Sequence, residues 1–424
     1  MHIQEQIYDV IIIGGGAGGF FSAINIAEKY PNKRVLILEK NKEALAKVRI
    51  SGGGRCNVTN GEFTVSQLVK NYPRGQRELL GAFHKFMTSH TIEWFESRGV
   101  ALKTEADGRV FPQSDSSQSV VNCLLNRAKK NKVVVEYQQQ VQAIVRNNNY
   151  WEISTKTVVF RSEKIVIATG SNLKMWDLLQ KLGHTIISPV PSLFTFNTKD
   201  DFIKDLSGVA LPTTVFLADM ASNPLKIKNK RVDCGGISAP LLITHWGFSG
   251  PAVLKLSAWG ARVLADLNYR CKLHVNWLTF QGEAVTLQQA IAILQQGKAK
   301  NGRKLMSNFC PFELPKRLWI KLLHRSGIAL QQTWATINKG QLHHLAKQLI
   351  LSEFVIDGKS IFKDEFVTAG GVALKEVDFK TFKSKVLPDV YFCGEVLDID
   401  AITGGFNFQN AWTGGYLVAE NIFP

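Results

Sequence analysis

The first forty residues alternate two apolar runs with a glycine-rich turn and a helical stretch. Residues 10–13 (Val-Ile-Ile-Ile) and 35–38 (Val-Leu-Ile-Leu) are continuous apolar runs of strand length. Such runs are typical of strands that are buried on both faces of a parallel sheet. Residues 14–19 (Gly-Gly-Gly-Ala-Gly-Gly) separate the first run from the helical stretch. The pattern predicts a strand, a tight turn, a helix and a second strand.

Helix and strand patterns continue to about residue 188. A helical period covers residues 84–99, and Ser114 or Asp115 can cap a helix to about Lys130, because a short polar side chain accepts a free first-turn N–H. Strand-like segments follow at 133–135, 141–145, 151–154, 157–160 and 164–167. The last leads into Ala168, Thr169 and Gly170, a small-residue turn that we expect beside the first glycine-rich turn.

The pattern changes near Pro189 and changes back near residue 353. Residues 193–198, 213–217 and 271–277 read as strands, residues 287–349 as mostly helical, and 390–395 as a strand before a closing helix at 408–422. We therefore predict an α/β fold with three parts. They are a discontinuous Rossmann-like domain (1–188 and 353–424), an inserted β-rich domain (189–283) and a small basic helical part of the insert (284–352).

Composition indicates a folded protein with more than one core. The chain has 424 residues, of which 45% are hydrophobic, so two or three domains are expected. No apolar run approaches the roughly 20 residues that span a bilayer, and no signal peptide is visible, so we expect a cytoplasmic protein. The six cysteines form no C-x-x-C, so the sequence predicts neither a metal site nor a redox pair.

The net charge of +16 is concentrated in one region. Between residues 284 and 352 the only acidic residue is Glu313, against ten lysines and arginines. Such a region can bind RNA, an anionic membrane surface or an acidic substrate. It can also be a solvated helical face that keeps the protein soluble. No signature of an RNA-binding module accompanies the charge, so we expect the solvated face, and nucleic acid is the less favoured partner.

The glycine run carries the chemistry of a dinucleotide-binding turn. Gly14 permits a tight turn, Gly16 lets a pyrophosphate approach the backbone, and Gly19 lets the helix lie close to the strand. The helix N-terminus offers free N–H groups to the phosphates. Glu39 follows Gly19 by 20 residues, where a carboxylate can accept hydrogen bonds from an adenosine ribose.

The C-terminal segment extends this site toward a flavin. Glu395 follows the strand at 390–395 and can hydrogen-bond ribityl hydroxyls. A helix that begins near residues 405–408 would direct its positive end at the flavin N1/C2=O edge, where negative charge develops on reduction. A Rossmann-type start that is completed by the C-terminus is the plan of many FAD proteins. We therefore predict non-covalent FAD.

Four sequence strings resemble those of the aminoacetone oxidase-like (BaiN/YhiN-type) FAD-binding flavoproteins. They are 51–60 (SGGGRCNVTN), 244–251 (THWGFSGP), 368–372 (TAGGV) and 394–407, which includes GEVLDID and TGGFN. The resemblance implies a discontinuous FAD domain interrupted by a β-barrel-like part and a small helical part. It also implies that Arg49, residues 51–57, Gly394, Glu395 and residues 405–407 line the FAD, with 368–372 at a domain junction near the flavin.

The predicted cofactor contacts combine the fingerprint, the small-residue turn and the resemblance. They are Gly14, Gly16, Ala17, Gly18, Gly19, Glu39, Lys40, Arg49, Ser51, Gly52, Gly53, Gly54, Arg55, Cys56, Asn57, Val141, Ala168, Thr169, Gly170, Gly394, Glu395, Gly405, Phe406 and Asn407. Arg55 is assigned to a phosphate, and Cys56 to packing beside the flavin, like Cys393.

The sequence predicts the reaction class more clearly than the substrate. We expect an FAD-dependent oxidoreductase that exchanges a hydride between flavin N5 and a small organic substrate held between the FAD domain and the insert. An amine or amino-ketone oxidase and an enone reductase both agree with the resemblance, and a flavin-bearing RNA-binding or RNA-modifying protein is the alternative. Asp398 and His245 are weak catalytic candidates. The insert has no second glycine fingerprint, so NAD(P)H is expected only as a transient reductant.

Overall fold

The computed structural model describes residues 2–225, 236–280, 282–360 and 367–423. The chain divides into two compact units: unit 1 is Met1–Val190 with Lys363–Pro424, and unit 2 is Pro191–Phe362. The strands are β1 (His2–Ile13), β2 (Val35–Leu38), β3 (Thr59–Asn60), β4 (Leu102–Thr104), β5 (Arg109–Pro112), β6 (Val134–Glu136), β7 (Ala143–Arg146), β8 (Trp151–Ser154), β9 (Val158–Ile167), β10 (Ile186–Ser192), β11 (Thr195–Asn197), β12 (Ala210–Ala218), β13 (Ile237–Ile243), β14 (Gly247–Ser249), β15 (Arg270–Asn276), β16 (Thr279–Phe280), β17 (Glu283–Ala284), β18 (Ser352–Ser360), β19 (Val367–Val372), β20 (Val377–Asp378), β21 (Lys383–Ser384) and β22 (Val390–Phe392).

The α-helices alternate with the strands in unit 1 and are grouped in unit 2. They are α1 (Ala17–Lys29), α2 (Ala46–Ile50), α3 (Val65–Leu68), α4 (Glu78–Phe83), α5 (Thr88–Glu96), α6 (Ser117–Lys130), α7 (Leu173–Lys181), α8 (Gly250–Asp266), α9 (Leu287–Asn301), α10 (Lys316–Arg325), α11 (Lys339–Ile350) and α12 (Phe406–Asn421).

Unit 1 is built on a sheet whose central strands are parallel. The strand order is β20-β21-β22-β9-β1-β2-β6, with β8 on β9 and β7 on β8. Ile13 of β1 lies beside Leu38 on one side and Ile167 on the other, and Ile167 pairs in turn with Phe392. The carboxyl ends of β2, β1, β9 and β22 therefore meet at one edge of the sheet, where ligands bind in open α/β folds.

Unit 2 is a closed barrel joined to helices by one apolar core. The barrel order is β11-β14-β13-β12-β15-β18. Trp277 after β15 donates its indole N–H to Ser352 Oγ at 2.8 Å, and Trp319 of α10 donates to the Met306 carbonyl at 2.6 Å. Both rings are buried in the same cluster as Phe354 of β18 and Leu345 of α11. The helices and the barrel thus stabilise each other.

The inserted domain ends later in the structure than the sequence predicts. β18 lies after the basic helices, yet it pairs with β11 and β15 and completes the barrel. The predicted return to the Rossmann-like domain at residue 353 is therefore wrong, because residues 353–360 belong to the barrel. The long helix α8 was also absent from the prediction. Its Gly250 and Pro251 resemble a turn, but a proline in the first turn of a helix has no N–H bond to lose.

Three predicted helix starts also differ from the structure. The stretch 84–99 is interrupted at Met87, which is extended, and α5 begins only at Thr88. Helix α6 is capped by Ser116, whose hydroxyl accepts from the Gln118 N–H at 3.3 Å. Neither Ser114 nor Asp115 caps α6, and Asp115 pairs with Arg55 at 3.4 Å. The closing helix begins at Phe406, two residues earlier than predicted.

Within the described ranges, every helix is too short or too polar to span a membrane.

Candidate cofactor site

The turn between β1 and α1 uses its three fingerprint glycines in different ways. Gly14 has φ of +112°, and a Cβ there would lie 2.5 Å from the Ala168 carbonyl oxygen. A Cβ on Gly19 would lie 1.9 Å from the Gly14 carbonyl oxygen, so this glycine allows the helix to approach the strand. A Cβ on Gly16 would have no atom within 4 Å. Open space at Gly16 is what close approach of a pyrophosphate requires.

Helix α1 starts at this open space without a side-chain cap. Gly16 is its N-cap, and Ala17, Gly18 and Gly19 form its first turn. First-turn N–H groups have no partner inside a helix, and the helix dipole places partial positive charge there. The turn can therefore bind a phosphate through backbone groups alone.

Glu39 lies at the carboxyl end of β2, against the glycine turn. Its Oε2 accepts from the Gly15 N–H and its Oε1 from the Asn41 N–H, both at 2.8 Å. These two bonds fix the carboxylate at the position where a ribose would be held. The neighbouring Lys40 is exposed. The Gln139 N–H donates to the Glu39 carbonyl at 2.8 Å, and Val141, two residues further on, is buried.

The turn after β9 reaches the first glycine turn from the other side. The Ala168 N–H donates to the Ile13 carbonyl at 2.9 Å, and Gly170 has φ of +60°. The Thr169 hydroxyl is buried and has no partner among the residues that the structure describes. An orphaned buried hydroxyl at this edge is suited to a ligand.

The loop after α2 is formed by glycines in left-handed conformations. Gly52, Gly53 and Gly54 have φ of +58°, +68° and +85°, and Cβ atoms on Gly53 and Gly54 would have no neighbour within 4 Å. The Cys56 N–H donates to the Ser51 carbonyl at 2.9 Å and closes the loop. Arg49 precedes it and donates to Gln118 Oε1 at 2.9 Å, while its buried Nε lies 3.9 Å from Glu43 Oε2 and has no hydrogen-bond partner in the described part of the chain.

Arg55 lies on this loop but is already paired. Its guanidinium contacts Glu105 at 2.7 Å and Asp115 at 3.4 Å, and it stacks on the Phe111 ring at 3.9 Å. Two carboxylates therefore compensate its charge. The structure supports a role in holding the loop more directly than the predicted phosphate contact.

Glu395 connects three segments at the carboxyl end of β22. Its Oε2 accepts from Lys47 Nζ at 2.6 Å and its Oε1 from the Thr368 N–H at 3.0 Å. A Cβ on Gly170 would lie 3.6 Å from the same carboxylate. Gly394, with φ of +77°, makes the turn that allows this position.

The loop between Glu395 and α12 is held by buried polar groups. Asp400 is fully buried and accepts from Nε and Nη2 of Arg74. The Asp398 N–H donates to the Val372 carbonyl at 3.1 Å, and the Asp398 side chain is 8% exposed. Asp400 thus braces the loop, and the catalytic role suggested for Asp398 stays a prediction.

The start of α12 is anchored to the glycine loop. Gly405 has φ of +89°, and a Cβ there would lie 2.3 Å from the Thr59 carbonyl oxygen. With its amide oriented to satisfy its neighbours, Asn57 accepts from the Gly405 N–H at 2.9 Å. Tyr72 donates to the Phe406 carbonyl at 2.6 Å, and Asn407 exchanges two hydrogen bonds with Ala401. No side chain caps this helix, so its first N–H groups are open to a ligand.

The two cysteines near the site are packing residues. Burial raises the pKa of the Cys56 thiol and of the Cys393 thiol to about 12 each, so both stay protonated at neutral pH and are poor nucleophiles. Cys393 Sγ fills the space beside α1, because a Cβ on Gly18 would lie 2.2 Å from it. These thiols support the packing interpretation over a redox role.

His245 belongs to unit 2. It lies with Trp246 at the exposed tip between β13 and β14, where the Thr244 N–H donates to the Gly247 carbonyl at 2.8 Å. Its catalytic role remains a prediction.

Three groups at this site are not among the cofactor contacts predicted from the sequence. Lys47 binds Glu395, the buried Thr368 hydroxyl has no partner in the described ranges, and Asn410 Oδ1 of α12 is likewise buried and unpaired there. Thr368 could have been predicted as a contact, because residues 368–372 are one of the four strings that carry the resemblance. Lys47 and Asn410 have no local signal, because the contacts that define them join distant parts of the chain.

The residues present fit an FAD at this edge. The backbone is open at Gly16, Gly53 and Gly54, and α1 and α12 begin without side-chain caps. Buried side-chain atoms of four residues have no hydrogen-bond partner in the described chain: Arg49, Thr169, Thr368 and Asn410. Such features accept phosphates and polar ring atoms.

Comparisons with known proteins show the family of this chain. A family model described as the HI0933-like protein Rossmann domain matches residues 8–421. The chain is 27% identical to a ribosomal RNA dihydrouridine synthase of Haemophilus influenzae, over 99% of both chains. It is also 27% identical to a 3-dehydro-bile acid delta(4,6)-reductase of Clostridium scindens, over 96% of this chain and 97% of the relative.

Among solved structures, a 3-ketosteroid delta1-dehydrogenase from Sterolibacterium denitrificans shares the fold. It covers 98% of this chain and 99% of its own, with a TM-score of 0.50 and 10% identity. Together with the family match over nearly the whole chain, these results show that the protein belongs to the HI0933-like Rossmann-domain family, a family of flavoprotein oxidoreductases.

Proposed function

We propose that the protein binds FAD non-covalently and reduces a carbon–carbon double bond conjugated with a carbonyl group, and that this bond belongs to a uracil base in RNA. The observation that carries the cofactor assignment is the set of open backbone and orphaned polar atoms at the carboxyl edge of the unit 1 sheet. The FAD contacts predicted from the sequence are proposed as they stand, except that Arg55 is assigned to holding its loop.

The chain's own residues supply binding and electrostatics. The first turn of α1 binds the pyrophosphate, and Glu39 accepts from the ribose. Glu395, fixed by Lys47 and the Thr368 N–H, accepts from ribityl hydroxyls. The start of α12 stabilises negative charge at the N1/C2=O edge. FAD, when bound, supplies a hydride from N5 of its reduced ring.

The names of two relatives support the type of bond reduced. Dihydrouridine is uridine with its C5–C6 double bond saturated, and that bond is conjugated with the C4 carbonyl. The double bonds of a 3-dehydro delta(4,6) steroid are conjugated with the C3 carbonyl in the same way. In both substrates a hydride would add to the carbon at the far end of the conjugated system, and a proton would add to a neighbouring carbon. One active-site chemistry therefore serves both relatives.

The charge of this chain favours RNA over a small enone. The helical part of the insert carries ten lysines and arginines and one acid. A bile acid has a single carboxylate and does not need so many cations, whereas a phosphate backbone does. The reducing equivalents come from NAD(P)H in a transient encounter, since the insert has no second glycine fingerprint. Oxidation of an amine or amino-ketone is the competing hypothesis.

Anaerobic reoxidation tests this proposal. Protein loaded with FAD is reduced with one equivalent of dithionite and mixed with a ribosomal RNA transcript. We expect the oxidised flavin absorbance to return and the RNA to gain two hydrogen atoms at a uridine, measured by mass spectrometry. A transcript without uridine is the control. If a 3-keto-4,6-diene steroid reoxidises the flavin and the RNA does not, the substrate is a small enone. Bleaching of the oxidised flavin by an amino-ketone would contradict the reductase proposal.

A further inference from the structure

The basic helices of unit 2 bring four cations to one end. Lys300 lies in the last turn of α9, and Arg303 and Lys304 follow it. The start of α11 is tied to this point, because the Ala335 N–H donates to the Gly302 carbonyl at 2.9 Å and the Trp334 N–H to the Lys304 carbonyl at 3.0 Å. Lys298 Nζ also donates to the Ile337 carbonyl at 2.7 Å. Lys339 is the first residue of α11, two residues after Ile337, and we call Lys300, Arg303, Lys304 and Lys339 the basic end.

The charge of the basic end is not compensated within the described residues. All four side chains belong to exposed residues, and no ion pair joins any of them to a carboxylate in the described ranges. Other cations of the same helices are paired: Arg325 contacts Asp200 at 3.1 Å and Lys321 contacts Asp205 at 3.6 Å. Lys316, Arg317 and Lys347 are also exposed without an ion pair among the described residues, so the basic end is one part of a larger uncompensated charge on these helices.

Helix stability does not explain the cations at the starts of α10 and α11. Lys339 opens α11, and Lys316 and Arg317 open α10, with no acid in either first turn. Cations are unfavourable near a helix N-terminus because they meet the positive end of the dipole. An anionic partner at this surface gives the arrangement a physical reason.

The surroundings favour a nucleic acid over a membrane. The apolar face of α10 is buried in the core through Leu318, Trp319, Leu322 and Leu323. Between residues 284 and 352, Leu330 is the one large apolar side chain that is exposed in the described ranges. Helices that bind a membrane surface insert an apolar face into the lipid, whereas binding to a phosphate backbone needs exposed cations only.

We propose that the basic end of unit 2 is the docking surface for the phosphate backbone of the substrate RNA. This inference rests on the proposed function, because it takes RNA as the substrate that delivers a uracil to the flavin. The contacts are to phosphates, so they position the RNA and do not read its sequence.

The test compares two triple variants of the FAD-loaded protein. The first variant removes three charges from the basic end by the substitutions Lys300→Gln, Arg303→Gln and Lys304→Gln. Lys129→Gln with Lys130→Gln and Lys132→Gln removes three exposed charges from the end of α6 in unit 1. The probe is a fluorescein-labelled RNA stem-loop with uridines in the loop, titrated at several salt concentrations. A phosphatidylserine-containing vesicle is the second probe.

The first variant is expected to bind the RNA about 10-fold or more weakly at about 100 mM salt, with the salt slope reduced by about three units. The control variant keeps wild-type affinity and slope. Equal affinity of the first variant and the wild type, or loss of vesicle binding without loss of RNA binding, would overturn the inference. Reoxidation by free uridine or RNA is measured in parallel. RNA binding through the basic end without RNA reduction would refute the proposed function and leave this docking surface standing.

Discussion

Replacing Arg74 by alanine is expected to lower the free energy of unfolding of unit 1 by about 3–5 kcal/mol. Arg74 donates from Nε and Nη2 to both oxygens of Asp400, whose side chain is fully buried. Without Arg74 the carboxylate loses its principal cationic partner while it stays away from water. Urea unfolding of the apoprotein, followed by far-ultraviolet circular dichroism, measures the change.

A second variant separates the lost ion pair from lost packing. Adding Asp400→Asn to Arg74→Ala removes the buried charge, so part of the stability should return. A loss of less than 1 kcal/mol in Arg74→Ala would contradict the account of this loop. Because Asp400 lies between Glu395 and α12, the single variant should also retain FAD poorly.

Replacing Gly16 by alanine is expected to weaken FAD binding by about 100-fold, or roughly 2.7 kcal/mol, without unfolding the protein. Gly16 has φ of −91°, which any residue adopts, and its Cβ would have no neighbour within 4 Å. The added methyl group therefore fits the apoprotein and occupies the space that a pyrophosphate needs. Fluorescence titration of the apoprotein with FAD gives the dissociation constant.

Gly19 provides the contrasting variant. Its Cβ would lie 1.9 Å from the Gly14 carbonyl oxygen, so Gly19→Ala should destabilise the apoprotein itself. If Gly16→Ala instead bound FAD as the wild type does, the glycine turn would not hold the phosphates. If Gly16→Ala unfolded the apoprotein, the space around Gly16 would not be open as described.

The sequence predicts unit 1 well because its signals are local. The apolar runs of β1 and β2, the glycine turn and Glu39 lie within forty residues, and their order defines the unit. The insert is harder to predict, because β18 joins the barrel only through pairing with β11 and β15, which are distant in the chain. Periodicity cannot distinguish a last barrel strand from a first strand of the next domain.

The site shows the same division. Gly14 makes the tight turn and Gly19 allows the close approach of helix to strand that their spacing predicts, and Asn57 meets Gly405 across the chain. Arg55 illustrates the limit, since its partners Glu105 and Asp115 are set by tertiary structure. An arginine beside a glycine-rich loop is the same pattern whether it faces a phosphate or a carboxylate.

The central claim is that FAD binds at the carboxyl edge of the unit 1 sheet, held from both ends of the chain. Its most direct test is the flavin content of protein purified under native conditions, from the visible spectrum and from chromatography of the cofactor released on denaturation. The account predicts a yellow protein with one FAD per chain, released intact and taken up again by the apoprotein. A colourless protein that cannot be reconstituted with FAD would contradict it.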